Sequence, residues 1–152
     1  MSEVLAIVGR GFYYEDLLLG FRFRTHRRTI AEADLAAFVN LTWLTEELFA
    51  VADDSQRAIK GRPVPAAMVY SFAEGLLLAT MQDTGLAFLS ATLDVKGPTV
   101  LGDTIHVESE VTEHRLTSKG DRGLVRFANK VINQDGKSVL ELYPLRMLKR
   151  KP

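Results

Sequence analysis

The chain has 152 residues, 47% of them apolar and 25% charged, which suits one domain with a buried core. Its 19 basic and 19 acidic side chains cancel, which argues against a protein that neutralises nucleic-acid phosphates. The sequence has no cysteine, which excludes disulfides, cysteine–zinc sites and thiol nucleophiles, and it has only three histidines. We therefore expect no metal, no cofactor and no nucleic-acid partner.

The N-terminal segment does not resemble a secretion signal or a membrane anchor. Its apolar stretch Val4–Val8 is short and follows Glu3 rather than a basic region. No apolar run approaches the ~18 residues that a membrane-spanning helix needs. We expect a cytoplasmic protein without a membrane partner, forming a single domain over residues 1–152.

Residues 21–28 begin with alternating apolar and basic side chains, which predicts a short strand with Phe21 and Phe23 turned inward. Two interpretations of the four arginines in this segment remain open. They form a solvated edge, which is the common case for surface charge, or a basic cluster beside an anionic ligand.

Three further stretches predict helices. Thr29 and Glu32 form a capping-box pattern, which predicts a largely buried helix to about Leu41. Residues 45–49 predict a second, short helical stretch. Pro65 favours the start of a long apolar helix that ends near Thr84, before Gly85. Gly75 lies inside this helix and indicates close packing there.

From Leu86 onward the apolar period changes to two, which predicts a meander of four long antiparallel strands. In the strand after Asp103, we expect Ile105, Val107 and Val111 to face inward and the histidines to face outward. Asp135-Gly136 predicts a hairpin turn, and Pro144 indicates an edge or a bulge in the last strand.

These elements predict an α+β fold. A helix of about 20 residues is ~30 Å long, enough to cross the sheet and be wrapped by it, which is the hotdog arrangement. The competing topology is a cone of strands with helices at its mouth. We favour the hotdog fold because the apolar helix immediately precedes the strands.

Several segments together resemble MaoC-like acyl-CoA dehydratases. The resemblance covers nearly the whole chain and rests on Tyr13–Asp16 with Gly20, on residues 28–34 (RTIAEAD), on Leu41-Thr42, on residues 62–77, and on Pro98 with Gly102–Thr104. Members of that family are hotdog proteins, usually dimers or larger, that hydrate enoyl-CoA thioesters. The resemblance therefore implies an acyl-CoA-type substrate and a homodimer or higher homo-oligomer.

The sequence departs from the family where the acid–base pair belongs. The family's D-x-N-P-x-H motif follows the Leu-Thr pair, but here Leu44 replaces its aspartate and Phe49 its histidine. Neither side chain can move a proton. By resemblance, Ala66 at the start of the long helix keeps the amide that polarises the thioester carbonyl, because a helix N-terminus offers free N–H groups.

Other carboxylates are candidate replacements. Glu46 and Glu47 are the nearest, and a carboxylate in a dry acyl pocket can act as both base and acid; the alternative is an exposed pair at a helix start. Glu74 is the candidate water-activating carboxylate of a thioesterase, by resemblance to other hotdog enzymes; alternatively it needs only a hydrogen-bonding partner.

Four residues are candidate substrate contacts. Trp43 and Phe49 are candidates to line an acyl pocket, and the alternative is that they belong to the core. Lys60 and Arg62 are candidates to contact the phosphate or pantetheine of CoA, and the alternative is that they only keep a loop soluble. We expect hydration or dehydration of an enoyl or 3-hydroxyacyl thioester with non-standard acid–base residues. The alternatives are an inactive acyl-CoA-binding protein and an acyl-CoA thioesterase.

Overall fold

The computed structural model describes residues 3–152. In this part of the chain, a short 3-10 helix spans Tyr14–Asp16, and the α-helices are α1 (Glu32–Thr42), α2 (Glu47–Ala50), α3 (Ala66–Leu76) and α4 (Leu78–Met81). The strands are β1 (Arg22–Arg24), β2 (Arg28–Thr29), β3 (Gly85–Ser90), β4 (Leu93–Val95), β5 (Thr104–Leu116), β6 (Arg122–Ile132), β7 (Ser138–Leu142) and β8 (Leu145–Lys149). None of these helices is long and apolar enough to cross a bilayer.

The strands form one antiparallel sheet in the order β1-β5-β6-β7-β4. Strands β7 and β8 lie end to end along β6, and β3 continues the sheet beyond β8, so β3 and β4 form one edge. The break at Tyr143-Pro144 confirms the irregularity predicted from Pro144, which cannot donate a ladder hydrogen bond. The prediction of four long strands was wrong in two places: one predicted strand corresponds to β3 and β4, and another corresponds to β7 and β8.

Helix α3 lies across the sheet and supplies the core. Met68, Val69 and Ala73 on one face of α3, with Leu77 after it, pack on the sheet face that carries Ile105 and Val107. A second cluster, around Tyr14 and Phe127, fills the other end of the sheet. The inward orientation of the β5 residues is confirmed, and the helix wrapped by the sheet agrees with the predicted hotdog arrangement.

The central helix is shorter than predicted, because α3 ends at Leu76 and α4 begins after Leu77. The Leu77 carbonyl accepts hydrogen bonds from the Thr80 hydroxyl at 2.6 Å and the Thr80 amide at 2.9 Å, which tightens the turn there. Close packing does not explain Gly75, since a Cβ built at Gly75 meets no atom within 4 Å. Gly75 weakens the helix just before its break.

Helix α1 begins two residues later than predicted. Thr29 belongs to β2, where its hydroxyl shares a 2.7 Å hydrogen bond with that of Thr104. The cap instead comes from Asp34, whose carboxylate accepts the Ala31 N–H at 2.9 Å. Only Leu35 and Val39 of α1 are buried, so the expectation of a largely buried helix was wrong.

Candidate functional site

An apolar cavity of about 160 Å³ lies at the N-terminus of α3. Its lining residues come from α2, from the segments on either side of Pro65, from residues 95–99 and from β7; they include Phe49, Val64, Ala66, Val69, Thr99 and Leu140. The cavity combines apolar walls with the start of a helix, where main-chain donors lack intrahelical partners.

The start of α3 leaves two amides without acceptors in the described chain. Pro65 is the N-cap, and its carbonyl accepts the amides of Met68 at 2.9 Å and Val69 at 3.1 Å. Within residues 3–152, neither the Ala66 nor the Ala67 N–H donates a hydrogen bond. Ala66 lines the cavity, whereas Ala67 is exposed. A carbonyl oxygen in the cavity would therefore meet an unpaired N–H at the positive end of the helix dipole.

The loop before β5 holds this helix start in place. The Val64 amide donates to the Thr99 carbonyl at 2.8 Å, and the Leu101 amide donates to the Arg62 carbonyl at 2.9 Å. The buried Asp103 carboxylate accepts the Val100 amide at 2.9 Å, which fixes the loop from within. These contacts hold the loop that carries the lining residue Thr99 against the start of α3.

Thr99 is a cavity residue that the sequence analysis missed. It is only 5% exposed, and it belongs to the lining. The sequence offered one signal, since Thr99 stands between the Gly97-Pro98 turn and Gly102. Neither the periodicity nor the resemblance singled out this hydroxyl.

Searches for relatives found no matching family model and no matching curated protein, but solved structures do match. A MaoC-like dehydratase from Rhodospirillum rubrum is 22% identical with a TM-score of 0.82, covering 93% of this chain and 99% of that one. The R-hydratase PhaJ1 from Pseudomonas aeruginosa is 27% identical with a TM-score of 0.77, covering 93% of this chain and 88% of that one.

A third match is a conserved hypothetical protein from Mycobacterium tuberculosis described as having a double hotdog fold. It is 23% identical with a TM-score of 0.84, and the match covers 97% of this chain and 46% of that one. The chain has the hotdog fold of MaoC-like dehydratases and (R)-hydratases. This chain therefore corresponds to about half of the double hotdog protein.

In this hotdog domain, Phe49 and Ala66 lie together at the cavity. Glu46 and Glu47 are the N-cap and first residue of α2, and both are exposed and outside the cavity lining. They nevertheless precede the cavity residues Leu48 and Phe49 directly in the chain. The structure therefore places neither carboxylate in the cavity lining.

Arg62 is engaged inside the protein. Its Nε donates to the Phe49 carbonyl at 2.9 Å, and its Nη1 donates to the Glu32 carboxylate at 2.8 Å. Arg62 thereby ties α1 and α2 to the entry of α3. Lys60 lies exposed on the preceding loop.

Trp43 lies at the C-terminal end of α1, in the left-handed conformation with φ 62°. Its side chain is 85% exposed and is not part of the cavity lining. A left-handed backbone is costly for a bulky aromatic residue. Trp43 ends α1 and turns the chain toward α2.

Glu74 occupies a separate place, eight residues along α3 from Ala66, or ~12 Å at 1.5 Å per residue. Its carboxylate accepts a hydrogen bond from Arg146 Nη2 at 2.5 Å, and Arg146 also lies over the Phe88 ring, 4.8 Å from its centroid. Burial, together with the charge of Glu74, raises the pKa of the nearby Tyr70 hydroxyl. The predicted hydrogen-bonding partner of Glu74 is thus the buried Arg146.

The histidines of β5 lie apart. His106 Nε2 is 3.2 Å from a Glu108 carboxylate oxygen. His114 is half-buried rather than a surface group, because a bulge in β5 stacks its ring on Tyr14 with the centroids 3.9 Å apart. Within residues 3–152, no group of three or more metal-ligating side chains comes together.

Proposed function

We propose that this protein acts on acyl-CoA-type thioesters, with the acyl group in the apolar cavity and the thioester carbonyl at the Ala66 amide. The observation that carries the proposal is the unpaired Ala66 N–H at an apolar cavity. An amide there stabilises the negative charge that develops on the carbonyl oxygen as an enolate forms. The hydratase and dehydratase names of the structural neighbours support the same chemistry.

The reaction that we favour is the reversible addition of water to an enoyl thioester. A carboxylate takes a proton from water, the hydroxyl adds to C3, and the enolate that results receives a proton at C2. Glu46 or Glu47 is the proposed proton carrier, since both adjoin the cavity segment Leu48-Phe49. Phe49 lines the acyl site, and we propose Trp43 and Lys60 as contacts of the remaining substrate.

A second candidate function is acyl-CoA binding without conversion. The specific observation in its favour is that no titratable side chain lines the cavity within residues 3–152. Under this alternative, the protein holds the thioester at Ala66 but lacks a group to move protons. The thioesterase alternative, with Glu74 activating water, needs that carboxylate to leave Arg146.

We also propose a homodimer formed along the sheet edge of β3 and β4. Every residue of both strands is exposed in the single chain, including the apolar side chains of Leu86, Phe88, Leu89 and Val95. Free strand edges and contiguous apolar surface favour pairing with another chain. Val95 of this edge also lines the apolar cavity, so a second copy would add side chains next to that cavity.

The decisive variant for the proposed function is Ala66→Pro. Proline is well tolerated as the first residue of a helix, and it replaces the N–H that has no acceptor here with a ring carbon. We expect hydration of short enoyl-CoA substrates to fall by about 10²–10³-fold, the usual effect of losing one such donor. Turnover is followed by loss of enoyl absorbance, and thermal melting checks that the variant folds.

Ala67→Pro is the matched control, because it removes the neighbouring unpaired amide from an exposed residue. Turnover that survives Ala67→Pro but not Ala66→Pro supports the proposal. Unchanged turnover in a folded Ala66→Pro protein contradicts it. Acyl-CoA binding without turnover in the wild type selects the second candidate, and release of free thiol that Glu74→Gln abolishes selects the thioesterase.

A further inference from the structure

Three arginines in one short segment have no partners in the described chain. Within residues 3–152, Arg22, Arg24 and Arg27 form no side-chain hydrogen bond, ion pair or cation–π contact. The other nine arginines each form an ion pair or a hydrogen bond. In a chain of zero net charge, this concentration of unpaired positive charge is a local feature of the β1–β2 segment.

Arg24 and Arg27 line one cavity of about 380 Å³, together with His106 and Asn133. The backbone between the two arginines is fixed against β5: the Thr25 amide donates to the Val107 carbonyl, and the Val107 amide donates to the Thr25 hydroxyl oxygen, both at 2.9 Å. The two guanidinium groups are therefore attached to an anchored bend rather than to a free loop.

The other polar side chains of this cavity already form hydrogen bonds within the protein. The side-chain oxygen Oδ1 of Asn133 already accepts the amides of Asp135 at 3.0 Å and Lys137 at 3.1 Å, so the side-chain NH2 group of Asn133 remains for a ligand. Gln134 is used at both ends, since its oxygen accepts the Thr104 amide and its nitrogen donates to Asp103. The nearby Glu108 carboxylate contacts His106.

We propose that this cavity binds phosphate groups, with Arg24 and Arg27 as the principal contacts. The planar guanidinium group of arginine matches two phosphate oxygens in a bidentate geometry. A negatively charged phosphate also relieves the repulsion between the guanidinium groups of Arg24 and Arg27. The inference that the phosphates belong to the carrier part of a thioester such as CoA rests on the proposed function.

The test measures binding of inorganic pyrophosphate and of CoA by calorimetry to the wild type, to the Arg24→Gln/Arg27→Gln double variant, and to Arg122→Gln. The control removes one exposed arginine that pairs with Asp121 at the other end of β6. We expect both ligands to bind the double variant about tenfold to a hundredfold more weakly, from the loss of charged hydrogen bonds, and Arg122→Gln to stay within about twofold. Equal weakening in both variants, or no pyrophosphate binding to the wild type, overturns the proposal.

An acyl thioester of N-acetylcysteamine, which carries no phosphate, separates this inference from the proposed function. We expect the Arg24→Gln/Arg27→Gln variant to bind this thioester with the same affinity as the wild type, because the thioester has no phosphate for the two arginines to contact. Thioester binding without pyrophosphate binding rejects the phosphate site alone. Pyrophosphate binding that the double variant loses, without thioester binding to the wild type, rejects the proposed acyl site alone.

Discussion

Two glycines of this chain have opposite surroundings, although the sequence alone does not distinguish them. A Cβ at Gly75 would enter open space, whereas a Cβ at Gly123 would lie 2.2 Å from Cδ2 of Tyr14. Neither glycine has a positive φ. Gly75 therefore weakens α3, and no close packing offsets that cost. Gly123, in contrast, makes room for the Tyr14 ring.

We predict that Gly75→Ala raises the free energy of unfolding by about 0.5–1 kcal/mol, because alanine loses less backbone entropy in a helix. Gly123→Ala should lower it by about 1–3 kcal/mol, because the tyrosine ring must move. Urea denaturation of both variants measures these changes. A loss of stability in Gly75→Ala would mean that α3 needs flexibility at this turn.

At the same scale, we predict that Glu46→Gln or Glu47→Gln reduces hydration about 10²–10⁴-fold, the usual contribution of a general acid–base group. Stability should change by less than about 0.5 kcal/mol, because both side chains are exposed. Kinetics with enoyl-CoA, beside thermal melting, checks both expectations. If turnover persists in the double variant, the proton carrier lies elsewhere.

Segments distant in sequence are joined by a few charged side chains. Arg62 connects α1, α2 and the start of α3, and Lys151 near the C-terminus reaches the 3-10 helix, with its Nζ 2.7 Å from the Asp16 carboxylate. The sequence pattern identified the helices but not these connections, because ion pairing depends on tertiary position. The early end of α3 was not predicted either, because the apolar periodicity of the sequence continues through Leu77 while the backbone hydrogen bonding changes there.

We predict that Arg62→Ala lowers the free energy of unfolding by about 2–4 kcal/mol, since it removes two charge-assisted hydrogen bonds from a largely buried side chain. Lys60→Ala, two residues away and exposed, should change it by less than about 0.5 kcal/mol. Denaturant titration compares the two. A stable Lys60→Ala protein with weakened acyl-CoA binding would support Lys60 as a substrate contact.

The Asp16–Lys151 contact predicts a pH dependence of stability. The side-chain hydrogen bond from Lys151, assisted by the Tyr13 amide, lowers the pKa of Asp16 below its ordinary value of 3.8. A lowered pKa in the folded state stabilises the protein above pH 4, and this contribution disappears as pH falls through the carboxyl range. Lys151→Ala should therefore lower Tm at pH 7 and have a progressively smaller effect as the pH falls and Asp16 becomes protonated. Lys119→Ala, on an exposed turn, serves as control.

For the molecule as a whole, the sequence was sufficient for the fold but only partly sufficient for the site. Period-two patterning, the Pro65 helix start and the family resemblance led to the hotdog arrangement. Ala66 and Phe49 lie at one cavity, whereas Trp43, Glu46 and Glu47 lie outside its lining. The exposed edge formed by β3 and β4 could not be recognised, because its apolar alternation is typical of a half-buried strand.

We predict that Leu89→Lys on β3 converts a dimer to monomers, because it places a charge in the proposed edge contact. Leu116→Lys, a residue of similar exposure at the end of β5, should leave the dimer intact. Sedimentation velocity at micromolar concentration distinguishes the two results. A wild-type protein that already sediments as a monomer contradicts the proposed dimer.

The proposed carbonyl contact at Ala66 belongs to the main chain, and this determines which mutational surveys can reveal it. Replacing Ala66 by any residue other than proline preserves the donor, and an alanine scan passes over the position because alanine is already there. A scan that reported no essential residue around this cavity would therefore be compatible with an intact oxyanion site. Backbone chemistry, such as an ester in place of that one peptide bond, is the probe suited to such a group.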